Sequence, residues 1–183
     1  MSLKINKVFF ESVYVISPKY YSDNRGSFFE SWNKKKFNQL LNVNHEFVQD
    51  NHSISIEGTL RGLHYQFPNP QGKLIRVISG EIFDVFVDLR ESSSTFGQWR
   101  GINLSSDNMK QIWIPPGFAH GFLTLSSKAE VLYKTTDYWY KENEKTIIWN
   151  DKNISIDWPL TKKVIVSEKD RNGITFKEAQ YFK

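Results

Sequence analysis

The stretch IFDVFVDL, Ile82 to Leu89, alternates without a break. A strand turns successive side chains to opposite faces. Phe83, Val85, Val87 and Leu89 therefore share one face, and Ile82, Asp84, Phe86 and Asp88 the other. The first of these faces is wholly apolar and belongs in a core. The second carries two carboxylates. Period-two alternation marks a strand rather than a helix, and the flanking sequence repeats the pattern. Gly80-Glu81 turns the chain just before it, and Leu74 to Ser79 is strand-like ahead of that turn. Downstream, Gly97 to Leu104, Gln111 to Ile114, Ala119 to Leu125 and Ala129 to Tyr140 read as further strands, with Pro115-Pro116-Gly117 as a turn.

Toward the N-terminus, Val8 to Ile16 (VFFESVYVI) reads as one strand closed by Ser17-Pro18. Asp23-Asn24-Arg25-Gly26 is a turn, followed by Ser27-Phe28-Phe29-Glu30. Asn33 to Leu41 is the best helix candidate and is short, with Lys34-Lys35-Lys36 as its solvated face. His45 to Ser55 is a mixed polar and apolar run. Trp158-Pro159 and Val164 to Val166 close the strand pattern, and Asn172 to Lys183 is expected to be a tail or a small terminal helix. Many short strands, little helix and no internal repeat describe a sandwich, barrel or jelly roll.

At 183 residues the chain can bury a core as one domain. Aromatics make up 15% of it, which suits half-buried strands and stacking platforms. A formal charge of +4 and a pI near 9.1 suit an anionic ligand such as a phosphate or pyrophosphate. The bias is too small to argue for nucleic acid. With no cysteine, disulfides, thiolate metal sites and thiol nucleophiles are excluded, and a cytoplasmic setting is allowed. The N-terminal MSLKINKVFFESVYVISP lacks the apolar centre and cleavage site of a signal peptide, and no stretch nears the roughly 20 apolar residues of a membrane span.

The chemistry gathers in Gly58 to Lys73, GTLRGLHYQFPNPQGK. Arg61, His64 and Gln66 alternate only loosely with Leu60, Leu63 and Tyr65, and the loop FPNPQGK ends the run. Pro115-Pro116-Gly117-Phe118-Ala119-His120 resembles the second signature of the cupin superfamily. The first signature should supply His-x-His and then a glutamate, but here His64-Tyr65-Gln66 stands alone. Two histidines without a supporting carboxylate make a poor metal site, so none is expected. General acid–base work is the better reading. Taking a proton from beside a carbonyl needs a base that titrates near neutrality and a cation for the enolate oxygen. His64 and Lys73 fit these needs. Returning a proton to the other face needs a second group, and a tyrosine suits. For Tyr133 core packing is the simpler account at this point.

Seven runs then carry a resemblance: Asp23 to Glu30 (DNRGSFFE), Gln49 to Ser53 (QDNHS), Leu60 to His64 (LRGLH), Gln71 to Leu74 (QGKL), Thr95 to Trp99 (TFGQW), Ile114 to Phe122 (IPPGFAHGF) and Leu132 to Lys134 (LYK). In order and spacing, from about Val8 to Asp170, they resemble the dTDP-4-dehydrorhamnose 3,5-epimerases. The resemblance implies an all-β, cupin-type jelly roll (a double-stranded β-helix) with short peripheral helices, forming one domain over 1–183. It implies a cytoplasmic homodimer without metal or cofactor. His64 matches the catalytic base, Asp170 the carboxylate paired with it, Tyr133 the proton donor and Lys73 the cation that steadies the enolate. Arg25, Glu30, Gln49, Asn51, Arg61, His120, Glu144 and Lys169 match positions that bind the nucleotide sugar. Tyr138 matches an aromatic that stacks on thymine. The substrate so implied is a dTDP-4-keto-6-deoxy sugar, with no nucleic acid and no membrane as partner.

Two departures stand out: the loop Phe67-Pro68-Asn69-Pro70, and the absence of Pro-Leu-Leu after Asp170. Neither removes a catalytic position, and they leave open an epimerase of one carbon or one that acts on a different 4-keto sugar. A ketoisomerase from another deoxysugar route and a non-catalytic jelly roll that binds nucleotide sugars are separate alternatives, the second opposed by the set His64, Lys73, Tyr133 and Asp170. A metal-dependent cupin oxygenase is a further alternative.

Overall fold

The computed structural model describes residues 3–160 and 163–183. Two six-stranded sheets face each other. The first comprises β1 (Leu3–Phe9), β2 (Val13–Pro18), β5 (Gln49–Ile56), β7 (Lys73–Ser79), β10 (Gln111–Ile114) and β12 (Lys128–Thr135). Its order is β1-β2-β10-β7-β12-β5. The second runs β13-β6-β11-β8-β9, made of β6 (Thr59–Gln66), β8 (Glu81–Asp88), β9 (Trp99–Ser105), β11 (Phe118–Thr124) and β13 (Glu144–Thr146), with β14 (Ile165–Val166) also on β6. A separate hairpin joins β3 (Tyr20–Asp23) to β4 (Gly26–Phe29). Helices are few: α1 (Lys34–Leu41), the single turn α2 (Glu168–Arg171), and a 3₁₀ turn at Phe176–Glu178. This is a cupin-type jelly roll with short peripheral helices.

Alternation along β8 explains the layering. Ile82 and Phe86 point between the sheets, where they pack with Val13, Val15, Ile75, Ile112, Phe118 and Val131. Val85, Val87 and Leu89 point the other way and are equally buried. The C-terminal part of the chain covers that outer face, through Trp158, Phe176, Tyr181 and Phe182. Both faces of the strand are thus interior, and the two carboxylates of the inner face are sealed from water. On the outside of the first sheet, α1 lays Phe37 and Leu41 against Trp113 and Leu74. These two residues lie one helical turn apart, so one face meets the sheet. Asn33 caps the helix by accepting from the Lys36 N–H.

The N-terminal stretch departs from expectation. Val8 to Ile16 is not one strand but the meeting of β1 and β2 around a turn, where Phe10 and Glu11 adopt positive φ of 50° and 56°. No glycine or asparagine marks the reversal. Ser17 and Pro18 still belong to β2. The strand expected over Ala129 to Tyr140 stops at Thr135. Among the described residues no helix is long and apolar enough to cross a membrane.

Candidate active site

Between the sheets lies a cavity of about 210 Å³. The first sheet lends it Lys73 from β7, Tyr133 from β12 and Ser53 from β5. The second lends Arg61 and His64 from β6, His120 from β11 and Glu144 from β13.

β6 owes this arrangement to an irregularity. Arg61 stands opposite Phe122 and His64 opposite His120, so two residues of β6, Gly62 and Leu63, face Gly121 alone. The extra residue resets the alternation. Arg61, His64 and Gln66 therefore share the cavity side, while Leu60, Leu63 and Tyr65 join the outer core. A regular strand would have turned His64 away from Arg61. The bulge depends on two glycines. Gly62 has φ +121°, and a Cβ there would lie 2.6 Å from the Gly121 Cα and 2.7 Å from the His120 carbonyl oxygen.

Behind His64 stands Asp170, on the single-turn α2. Its Oδ1 lies 2.6 Å from His64 Nε2, and its Oδ2 accepts from the Gly62 N–H at 3.3 Å. Ser167 holds that turn by accepting from the Asp170 N–H. Burial pushes the Asp170 carboxyl up, but the His64 hydrogen bond and charge, with the Gly62 N–H, outweigh it and hold the carboxyl below its ordinary range.

Lys73 is buried, and burial lowers its ammonium from 10.5 to about 8, with Glu144 and Asp84 pulling the other way. Tyr133 is pushed up by burial and by Glu144, against Arg61, so its phenol keeps its proton through the neutral range. Asp84, fully enclosed, is raised by burial despite His120 and Lys73, and its Oδ2 lies 2.8 Å from His120 Nε2.

The expected binding residues divide into four groups. Arg61, His120 and Glu144 line the cavity with the four expected catalytic positions close by. Lys169, Gln49 and Asn51 stand one contact away. Lys169 pairs with Glu144 at 2.9 Å, while Gln49 bonds Asn51 and accepts from the Trp139 N–H. Tyr138 is 54% exposed on the segment after β12, and its carbonyl is held by Gln66 Nε2 at 3.1 Å. Arg25 and Glu30 are not brought in. Arg25 sits on the β3–β4 turn paired with Asp23, its side chain 84% exposed, and Glu30 pairs with Lys36 beside α1.

Sequence reasoning passed over Trp139 and Gln71, which line the cavity, and Asp84, which backs His120. Asp84 had left a signal, as a carboxylate on the inner face of an otherwise apolar alternation. Its partner lies 36 residues away, which no local spacing reveals. Among the described residues no group of three or more His, Cys, Asp or Glu is arranged to hold a metal ion.

A histidine–carboxylate pair, a buried lysine and a protonated phenol around one cavity define an acid–base enzyme on a jelly-roll frame. Comparison with known proteins narrows the class. The sequence profile of the dTDP-4-dehydrorhamnose 3,5-epimerases matches residues 7–178, and the chain belongs to that family. It is 52% identical over 180 residues to dTDP-4-dehydrorhamnose 3,5-epimerase of Pseudomonas aeruginosa, covering 98% of this chain and 99% of that one. Among solved structures it resembles a dTDP-6-deoxy-D-glucose-3,5-epimerase from Legionella pneumophila in complex with dTDP-4-keto-L-rhamnose. That match has a TM-score of 0.94 and 47% identity, and covers 97% of this chain and 95% of the other. The family's enzyme from Bacillus anthracis, with TDP and PPi bound, gives 0.91 and 45%, over 95% of this chain and 99% of that one.

Proposed function

We propose that this chain, working as one domain over 1–183, inverts C3 and C5 of dTDP-4-dehydro-6-deoxy-D-glucose to give dTDP-4-dehydro-L-rhamnose. The 4-keto group acidifies both carbons, so one base can serve each in turn. The observation that carries the reading is the division of acid–base groups between two walls of one cavity: His64 on one sheet, backed at 2.6 Å by Asp170 of α2, and Lys73 with Tyr133 on the other. Asp170 accepts a hydrogen bond from the His64 Nε2–H, which fixes the tautomer and leaves Nδ1 as the basic nitrogen. Lys73 steadies the enolate oxygen, and Tyr133 returns a proton to the opposite face. Arg61, His120, Glu144, Lys169, Gln49 and Asn51 hold the nucleotide sugar, and Tyr138 stacks on the thymine. The cytoplasm, where nucleoside triphosphates activate sugars, is the setting of this reading.

A homodimer belongs to the same proposal. The β3–β4 hairpin exposes Tyr20, Tyr21 and Phe28, the last 65% exposed, and β5 exposes Ile54 and Ile56. Apolar surface of this extent suits a partner. A second copy would both cover it and bring Arg25 and Glu30 to a neighbouring cavity.

Proton NMR of the 4-keto sugar in D2O tests the chemistry. Wild type should place deuterium at C3 and C5 and invert both, and His64→Asn should place it at neither. Tyr133→Phe should still exchange while inversion slows roughly 10²–10⁴-fold, the contribution of one positioned acid. Exchange at one carbon only would make the chain a single-site epimerase, and exchange at neither would sink the assignment.

A further inference from the structure

The inner side of β5 is polar throughout. Gln49, Asn51, Ser53 and Ser55 alternate with the exposed Asp50, His52, Ile54 and Ile56. A strand facing the interior of a sandwich ordinarily offers apolar groups there. Three of the four have partners within the chain. Gln49 Nε2 donates to Asn51 Oδ1 at 2.8 Å, and Ser55 Oγ accepts from Arg61 Nε at 3.0 Å. Ser53 Oγ is buried and has no partner among the described residues. Three other buried side-chain atoms there share that condition, on Arg76, Asp84 and Thr124, but only Ser53 lines the cavity of His64, Lys73 and Tyr133. It also stands beside the reacting groups. Ser53 pairs with Val131 on β12, and Asn51, the next inward residue, pairs with Tyr133.

A buried hydroxyl without a partner costs stability, and alanine would fill the same space without that cost. Packing therefore does not explain a serine here, whereas a ligand that completes its hydrogen bonding does. We propose that Ser53 is a substrate-contact residue whose Oγ hydrogen-bonds a free hydroxyl of the sugar ring and so helps select the sugar. The inference rests on the function proposed above. A 4-keto-6-deoxyhexose joined through C1 to a diphosphate keeps ring hydroxyls at C2 and C3 only. A serine hydroxyl both donates and accepts, so it can serve either.

The test is Ser53→Ala with dTDP-4-dehydro-6-deoxyglucose and its 2-deoxy and 3-deoxy analogues, following deuterium entry at C5, which all three retain. With the parent sugar, kcat/KM should fall roughly tenfold, the worth of one hydrogen bond. With the analogue that lacks the contacted hydroxyl, wild type and variant should agree. The thermal midpoint of the free variant should equal or exceed that of wild type, opposite in sign to a structural role. Unchanged kcat/KM on the parent sugar, an equal loss on both analogues, or a lowered midpoint would each overturn the proposal. A wild-type protein that leaves the parent sugar unexchanged would remove the functional reading itself, and this proposal with it.

Discussion

Lys73 carries two opposite pH dependences. Its ammonium, lowered to about 8 by burial, loses its proton well below the range of a free lysine. The groups around it are Glu144, Asp84, His64, His120 and Tyr133, and Tyr133 is itself shifted upward. If Lys73 steadies the enolate as a cation, kcat/KM should fall along an alkaline limb centred near pH 8. Lys73→Arg, at whatever residual rate, should move that limb upward, because a guanidinium keeps its charge. A profile flat to pH 10 would mean that no cation is needed there. Stability follows the other sign. Between about 8 and the ordinary value of 10.5, the unfolded chain binds the extra proton, so this residue's contribution to stability rises with pH as activity declines. At this scale the sequence was half legible. His64, Lys73 and Arg61 stood out because they share one local stretch, whereas Tyr133 was pointed to only by the resemblance; the structure places all four around one cavity. Ser53 and Asp84 were missed because what matters about them is a missing partner and a distant one.

Among the elements, β6 is the most constrained. Gly62 and Gly26 have nearly the same φ, +121° and +122°. Nothing lies within 4 Å of a Cβ built on Gly26, whereas one on Gly62 meets backbone atoms of β11 at 2.6 and 2.7 Å. Backbone cannot swing aside as a side chain can. Gly26→Ala should therefore cost only the strain of its conformation, about 1 kcal/mol. Gly62→Ala should cost about 3 kcal/mol or more and lose activity even where it folds, since His64 and His120 are neighbours of the clash. Chemical denaturation of the two variants checks the contrast, and equal losses would show that φ alone governs. The sequence signalled the bulge only as a loose alternation in Gly58 to Lys73. Its reading of β8 held because strict periodicity is a local property, and β10 and α1 lie where they were read, with Asn33 the cap of α1 rather than its first residue. The β1–β2 turn escaped because Phe10 and Glu11 reverse the chain without turn residues. The end of β12 was overshot because the segment beyond Thr135 is fastened by side chains. Gln71 Nε2 donates to the Asp137 carbonyl, and Gln66 Oε1 accepts from the Tyr140 N–H.

For the whole molecule, composition and turn spacing were enough for the all-β class, and motif order for the family. Association is a property of surfaces, and in the sequence only the resemblance spoke to it. If two copies share the β3–β4 hairpin, the protein should sediment at twice 21.5 kDa. Phe28→Asp should then yield folded monomers that bind dTDP weakly, because Arg25 no longer reaches a second cavity. Arg25→Ala should weaken binding while leaving the dimer intact. A monomeric wild type with full activity would refute the shared arrangement.

The two walls of the cavity belong to different sheets, and mutation reaches them independently. With Tyr133 and His64 in the roles proposed, a lineage that altered β12 could change which face of the sugar receives a proton without touching the strand that carries the base. Drift on β6 would do the reverse. Stereochemistry in this scaffold is then a heritable trait separable from the ability to ionise the substrate. Duplicated copies could diverge into makers of different sugars by small steps along one sheet, each descendant keeping a working half of the machinery on the other.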